Sequence, residues 1–182
     1  MTDRVLQGFL ERQYDEGMAL AEASDLLHLI SLGGDPPRKY LADFRCTGLV
    51  KAPDGEIVPA ERFVVGIWFP DDYLRAVDPF QILTWLEPRT VYHANVSDVG
   101  PFVCIGHIVP ATSLVEILYR LFDVITYNKV TLVEEKALNR EACGWGRSNV
   151  HRFPIDRRGL KRRTGAATGT DDFDVHPIKV AR

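Results

Sequence analysis

Between residues 3 and 31, apolar side chains recur near a four-residue step. Leu6, Leu10, Tyr14, Met18 and Ala21 are followed by Leu26, Leu27 and Ile30. That spacing stacks them on one face and predicts an N-terminal amphipathic helix over the whole stretch. Gly17 weakens its middle. Gly33-Gly34-Asp35-Pro36-Pro37 ends it, because proline lacks an amide donor and glycine frees the backbone. The period then changes to two. From Tyr40 to Val50, residues Tyr40, Ala42, Phe44 and Cys46 fall on one side, and Asp43, Arg45 and Thr47 on the other, as in a half-buried strand. Pro53-Asp54-Gly55 is a turn, with proline presetting φ and glycine accepting a positive value. Phe63–Phe69, rich in β-branched and aromatic residues, predicts a second strand that Pro70 closes. Gln81–Leu86 predicts a third. Consecutive strands with short connections imply an antiparallel meander.

Residues 87–111 break both periods. Pro88, Gly100, Pro101, Gly106 and Pro110 divide them into short apolar pieces. An irregular segment of this length inside a compact domain is often functional. Helical patterning returns at Ser113-Leu-Val-Glu116, where hydroxyl and carboxylate can satisfy the first free amides reciprocally. Leu114, Leu118, Leu121, Phe122 and Ile125 then share a face. Thr131-Leu-Val-Glu134 repeats the capping pattern, ahead of a narrow stripe at Leu138, Ala142 and Trp145. From Gly165 the chain is rich in Gly, Thr, Ala and Asp and reads as a mobile tail. Strands grouped together, with helices at both ends, predict the α+β class. The expected organisation is one domain over residues 1–160, then a basic and flexible tail over 161–182.

Composition narrows the chemistry. With 182 residues, 46% of them hydrophobic, the chain can bury a core without disulfides or metals. A net charge of −3 gives no drive toward nucleic acid or anionic membrane. Arg157, Arg158, Lys161, Arg162 and Arg163 form a basic cluster, but no aromatic residues interleave it, so it reads as solvated surface. No window approaches ~20 uninterrupted apolar residues, which argues against a membrane span. Met1–Glu16 mixes charges throughout and does not resemble a secretory leader, so a cytoplasmic location is expected. Cys46, Cys104 and Cys143 are odd in number, with no Cys-x-x-Cys spacing and no His-x-x-x-His, so neither a disulfide framework nor a zinc site is expected. No cofactor is implied. Asp71-Asp72 lacks a matching partner for a metal. Cys46, on the apolar side of a strand, and Cys143, inside a helix, read as buried structural residues. Cys104 has two readings: a small hydrophobe in a short strand, or a nucleophile.

The second reading rests on Tyr92-His93-Ala94-Asn95-Val96-Ser97-Asp98-Val99-Gly100-Pro101-Phe102-Val103-Cys104-Ile105. A His-x-Asn step, a glycine, and a cysteine between apolar residues resemble the active-site signature of ubiquitin-conjugating enzymes. The similarity extends over about residues 3–150. Pro70-Asp71-Asp72-Tyr73 and Asp78-Pro79, before a strand ending near Trp85, look like the family's tyrosine–proline stretch. Asn139–Trp145 looks like a polar–alanine–aromatic helix found downstream of the family's cysteine. The chain departs from the pattern at three points. Ala94 replaces the proline of the His-Pro-Asn step. Pro101 and Phe102 both stand between Gly100 and Val103, one residue more than usual. Gly106 stands where an acidic residue is frequent.

The resemblance implies the family's fold: an N-terminal helix, a four-stranded antiparallel meander, an ordered active-site coil and C-terminal helices. It implies that Cys104 accepts a ubiquitin-like protein from an activating-enzyme-like partner as a thioester and passes it to a lysine of a protein substrate. Asn95 is then the candidate oxyanion donor or loop brace, and His93 the structural support of the site. His107 is a candidate for tuning the thiol, against the plainer reading of a solvated loop histidine. Glu134 and Glu135 are candidates for receiving the amine's proton, against the plainer reading of a helix cap. Divergence of this kind is closest to bacterial members encoded with a ubiquitin-like protein and a deconjugating metallopeptidase, in operons associated with antiphage defence. The alternative is a module of the same fold, catalytically inactive, that binds a ubiquitin-like protein noncovalently. A thiol hydrolase is a weaker reading, because no histidine is placed by sequence to act as its base.

Overall fold

A computed structural model describes residues 3–162. The expectation of a mobile tail from Gly165 therefore falls outside the described residues. The chain opens with α1, Arg4–Glu22. Asp3 caps it, its Oδ1 accepting from the Val5 amide at 2.9 Å. Leu6, Phe9, Leu10, Gln13, Gly17 and Leu20 form the buried face. The helix does not run to residue 31. It stops at Ala23, and β1 follows at Leu27–Ser31. Leu26, Leu27 and Ile30 fit a helical stripe, but Leu27 and Leu29 point inward while His28 and Ile30 are exposed. Over so few residues both periods match, and pairing with a neighbouring strand decides between them.

That neighbour is β2, Lys39–Phe44, antiparallel to β1 along its whole length. The single strand expected from Tyr40 to Val50 is in fact two. The chain turns out of the sheet after Phe44, and β3, Gly48–Lys51, pairs instead with β4, Ile57–Ala60, around the Pro53-Asp54-Gly55 turn. Pro59 hid β4 from a sequence reading, since proline cannot donate to a ladder. Gly48 is required where the hairpin crosses the body. A Cβ there would stand 2.6 Å from the Phe63 ring and 2.8 Å from the Ile125 carbonyl. The chain rejoins the main sheet as β5, Phe63–Trp68. The third expected strand begins later than Gln81. Asp78 caps a short helix, α2, Pro79–Ile82, and β6 then runs Leu83–Glu87. The main sheet is four-stranded and antiparallel in the order β1-β2-β5-β6.

The inner sheet face is covered by α1 and by α3, Leu114–Ile125. Ser113 caps α3, accepting from the Glu116 amide at 3.1 Å. Leu114, Ile117, Leu118, Leu121 and Val124 are fully buried, each worth roughly 1.5–3 kcal/mol of apolar transfer. The two helices are tied by a buried polar contact, Gln13 Oε1 accepting from the Leu114 amide at 2.7 Å. The second capping pattern does not start a helix. Glu134–Lys136 make only a 3₁₀ turn without a side-chain cap, and α4, Arg140–Ser148, starts after Asn139, whose Oδ1 accepts from the Ala142 amide at 2.9 Å. Leu138 thus precedes the helix.

Beyond α4 the chain runs back across the molecule as a strap. Arg152 donates to the Ile57 carbonyl of β4 at 3.1 Å, and Asn128 to the Asp156 carbonyl at 3.3 Å. Leu160 enters the main core, 1% exposed, and the Arg162 amide donates to the Ala23 carbonyl at the end of α1 at 2.8 Å. Among the described residues, no helix is long and apolar enough to cross a membrane.

Candidate functional site

The coil after β6 is irregular, yet its backbone groups are used. The Trp85 indole donates to the Pro88 carbonyl at 2.9 Å. The Tyr92 amide donates to the Leu49 carbonyl of β3 at 2.9 Å. The Tyr92 carbonyl accepts from the Tyr127 hydroxyl. The Ala94 carbonyl accepts from the Leu138 and Asn139 amides at 2.9 and 3.2 Å. From the other end, the Trp85 amide donates to the Pro101 carbonyl at 2.8 Å. The coil is therefore pinned to β3, β6, the end of α3 and the start of α4. Ala94 stands where the resemblance leads one to expect proline, and its carbonyl is held by two amides.

Within the coil, residues 95–97 and 102–104 form a short antiparallel ladder. The Cys104 amide donates to the Asn95 carbonyl at 2.8 Å, and the Ser97 amide to the Phe102 carbonyl at 2.9 Å, with Val96 opposite Val103 between them. The alternation sends Val103 and Ile105 into the core and turns Phe102 and Cys104 outward. Both readings of Cys104 meet here. It lies in a short extended segment, but it is partly exposed rather than a buried hydrophobe.

The extra residue before the cysteine does not separate it from Asn95. The Asn95 Nδ2 donates to the Cys104 carbonyl at 3.0 Å, and its Oδ1 accepts from the Thr131 amide at 2.8 Å. The side chain is 4% exposed, and both of its polar ends are bound to backbone. His93 lies beside it. Its Nδ1 accepts from the Asn95 amide at 3.0 Å, and its ring meets Tyr127 edge-on at 4.3 Å between centroids. With Nδ1 accepting, the neutral ring carries its proton on Nε2, which is buried with no partner. Burial holds the His93 pKa down, at about 3. The imidazole is neutral and enclosed.

Cys104 is the exposed thiol of the three. Cys46 and Cys143 are buried, and burial pushes the Cys46 thiol up to about 12. A thiolate has to be reached by its reaction partner, so only Cys104 is placed for chemistry. The remaining sequence candidates are not gathered at it by any hydrogen bond. His107 is exposed, and its carbonyl accepts from Arg120. Glu134 is exposed and pairs with Arg147 at 3.3 Å; Glu135 is exposed on the same 3₁₀ turn.

Two features were missed by the sequence reading. Lys129, beyond the end of α3, donates from Nζ to the carbonyl of Ile105, the residue after Cys104, at 3.1 Å. Phe102 stacks edge-on against Phe80 of α2 at 5.3 Å, and both rings are exposed. Neither has a sequence motif. Lys129 is one basic residue in a polar connection, and Phe80 is brought over by the short helix that replaces part of the expected strand.

Chemically, the arrangement offers a partly exposed thiol on a hydrogen-bonded loop, an amide that locks that loop, an ammonium bound to the carbonyl of the next residue, and a pair of exposed aromatic rings at Phe80 and Phe102. No protein-family model matches the chain, and no curated protein is significantly similar to it in sequence.

Proposed function

We propose that this chain is an acyl carrier of ubiquitin-conjugating type. Cys104 takes a ubiquitin-like protein from an activating enzyme by transthiolation and releases it to a lysine amine of a protein target. The observation that carries the reading is the double tie between Asn95 and Cys104: backbone amide to backbone carbonyl one way, side-chain amide to backbone carbonyl the other. It presents a partly exposed thiol at a fixed place on a coil that is pinned along its length. The order of elements supports the same reading: α1, the antiparallel sheet, the cysteine-bearing coil, then α3 and α4.

A thiol suits this task because it accepts an acyl group by exchange and gives it up readily to an amine, dividing one hard transfer into two easier ones. The partners are an activating-enzyme-like protein, the modifier and a protein substrate, with a deconjugating metallopeptidase as the enzyme that reverses the product. A place in bacterial antiphage defence belongs to this proposal. The test is reconstitution with an activating enzyme, a ubiquitin-like protein and ATP, followed by a non-reducing gel. A thiol-labile adduct on wild-type protein, lost in Cys104→Ala but kept in Cys143→Ala, supports the reading.

One observation favours a second reading, a noncovalent module of the same fold. Both ends of the Asn95 side chain are engaged by backbone, Nδ2 by the Cys104 carbonyl and Oδ1 by the Thr131 amide, so the residue has a structural role that needs no chemistry at the thiol. Binding of the ubiquitin-like protein without any adduct is its signature.

A further inference from the structure

Resting on the reading of Cys104 as an acyl carrier, we infer that Lys129 supplies the positive charge that stabilises the oxyanion when an acyl group leaves Cys104. During transfer, the amine nitrogen bonds to the thioester carbonyl carbon, and the carbonyl π pair moves onto oxygen. As that pair returns, the C–S bond breaks, the sulfur leaves as thiolate, and the amine's proton passes to water. The costly species is the oxygen anion, and a donor beside it lowers the barrier. Asn95 is already committed as the brace of this loop. One N–H of its Nδ2 is held by the Cys104 carbonyl and its Oδ1 by the Thr131 amide, so the side chain cannot move toward a reacting oxygen without undoing the loop it braces.

Lys129 is different. Its ammonium has three donors, and one of them goes to the Ile105 carbonyl at 3.1 Å. Among the described residues no carboxylate lies within ion-pair distance of it, although its charge reaches Asp123, where it opposes the rise in pKa that burial causes. The bond to Ile105 places the ammonium against the residue that follows the thiol, and Lys129 is exposed.

The glycine beneath it is part of the same arrangement. A Cβ on Gly106 would lie 2.8 Å from Lys129 Nζ, and Gly106 has φ +95°, a conformation that side chains disfavour. Where the family pattern frequently has an acid, this chain has a bare backbone with an ammonium over it. A lysine at the end of a flexible stem, held by one carbonyl, can shift to meet an oxyanion as it forms.

The test uses Lys129→Gln and Lys129→Arg in the full chain, with two readouts. The first is the rate at which preloaded thioester discharges to free lysine. The second is the ratio of iodoacetate to iodoacetamide alkylation on the peptide bearing Cys104, which reports positive charge at the thiol whether or not the protein ever carries a modifier. For Lys129→Gln, discharge slows roughly tenfold, less than a buried oxyanion donor is worth because water screens an exposed ammonium. The alkylation ratio falls several-fold in the same variant, and Lys129→Arg retains both values. An unchanged alkylation ratio in Lys129→Gln overturns the inference, as does an unchanged discharge rate. If the wild-type protein takes no thioester at all, the acyl-carrier reading fails instead, while the alkylation ratio still decides whether Lys129 charges the thiol's surroundings. Loss of discharge in Lys129→Arg, together with acylated Lys129 in the wild type, shows that the lysine is an acceptor and overturns its role as a donor.

Discussion

Asn95 and Cys104 are joined twice: the Cys104 amide donates to the Asn95 carbonyl at 2.8 Å, and the Asn95 side-chain amide donates back to the Cys104 carbonyl at 3.0 Å. The third bond, from the Thr131 amide to Asn95 Oδ1 at 2.8 Å, ties this pair to the segment beyond α3. The asparagine is thereby a brace. Asn95→Ala leaves a buried carbonyl and an amide without these partners, and the cost is about 1–3 kcal/mol. Loading and discharge then fall together, and the thermal midpoint drops. Asn95→Asp keeps an acceptor for Thr131 but loses the donor, so its stability falls between wild type and alanine. Thermal melts beside single-turnover loading and discharge check this; an alanine variant with full stability and a defect in discharge alone would return the oxyanion role to Asn95.

His93 sets an acid limit on the site. The folded protein holds its pKa near 3, against an ordinary value of 6.5. The folded state thus refuses a proton that the unfolded chain accepts. The sign follows: this contribution is fully present above the ordinary value and is lost as pH falls from there toward the folded value. Between pH 6.5 and about pH 5 the loss is about 2 kcal/mol. Denaturant midpoints measured across that window fall in the wild type. His93→Gln, which cannot be protonated, flattens the slope; an unchanged slope in that variant assigns the acid sensitivity to other groups.

The strap ties the last described residues to the core. Leu160 is 1% exposed in the main core, and Arg162 donates to the Glu22 carbonyl from its guanidinium and to the Ala23 carbonyl from its amide. Ending the chain after Arg163 leaves the melting temperature and thioester loading unchanged. Leu160→Ala costs about 2–5 kcal/mol, through lost transfer energy and the cavity left behind. Equal stability for Leu160→Ala and wild type would show that the strap does not close the core.

Much of this was legible in the residues. Tyr40, Ala42 and Phe44 alternate because one face of β2 is core, and they and Cys46, just past the strand, are all buried. Ser113 announced α3 correctly, because its hydroxyl accepts from the Glu116 amide at close range, while the Glu116 carboxylate pairs with Arg120 instead of completing the reciprocal cap. The errors came where a local signal had more than one meaning. Leu26, Leu27 and Ile30 fit both periods, and only pairing with β2 makes them a strand. Thr131 carries the same capping pattern as Ser113, but its amide is drawn to Asn95, so the helix waits for Asn139. Sequence proximity brought His93, Asn95 and Cys104 together as candidates. It could not bring Lys129 or Phe80, which reach the site from separate elements by tertiary packing.

The acyl-carrier reading turns on one covalent bond. Wild-type protein, Cys104→Ser and Cys104→Ala are each incubated with an activating enzyme, a ubiquitin-like protein and ATP, and their intact masses are read before and after thiol treatment. The expected result is one modifier on wild type that thiol removes, one on Cys104→Ser that thiol leaves in place because it is an oxygen ester, and none on Cys104→Ala. An adduct of equal yield on Cys104→Ala, or no adduct on wild type while the partner enzyme is charged with the modifier, contradicts the reading.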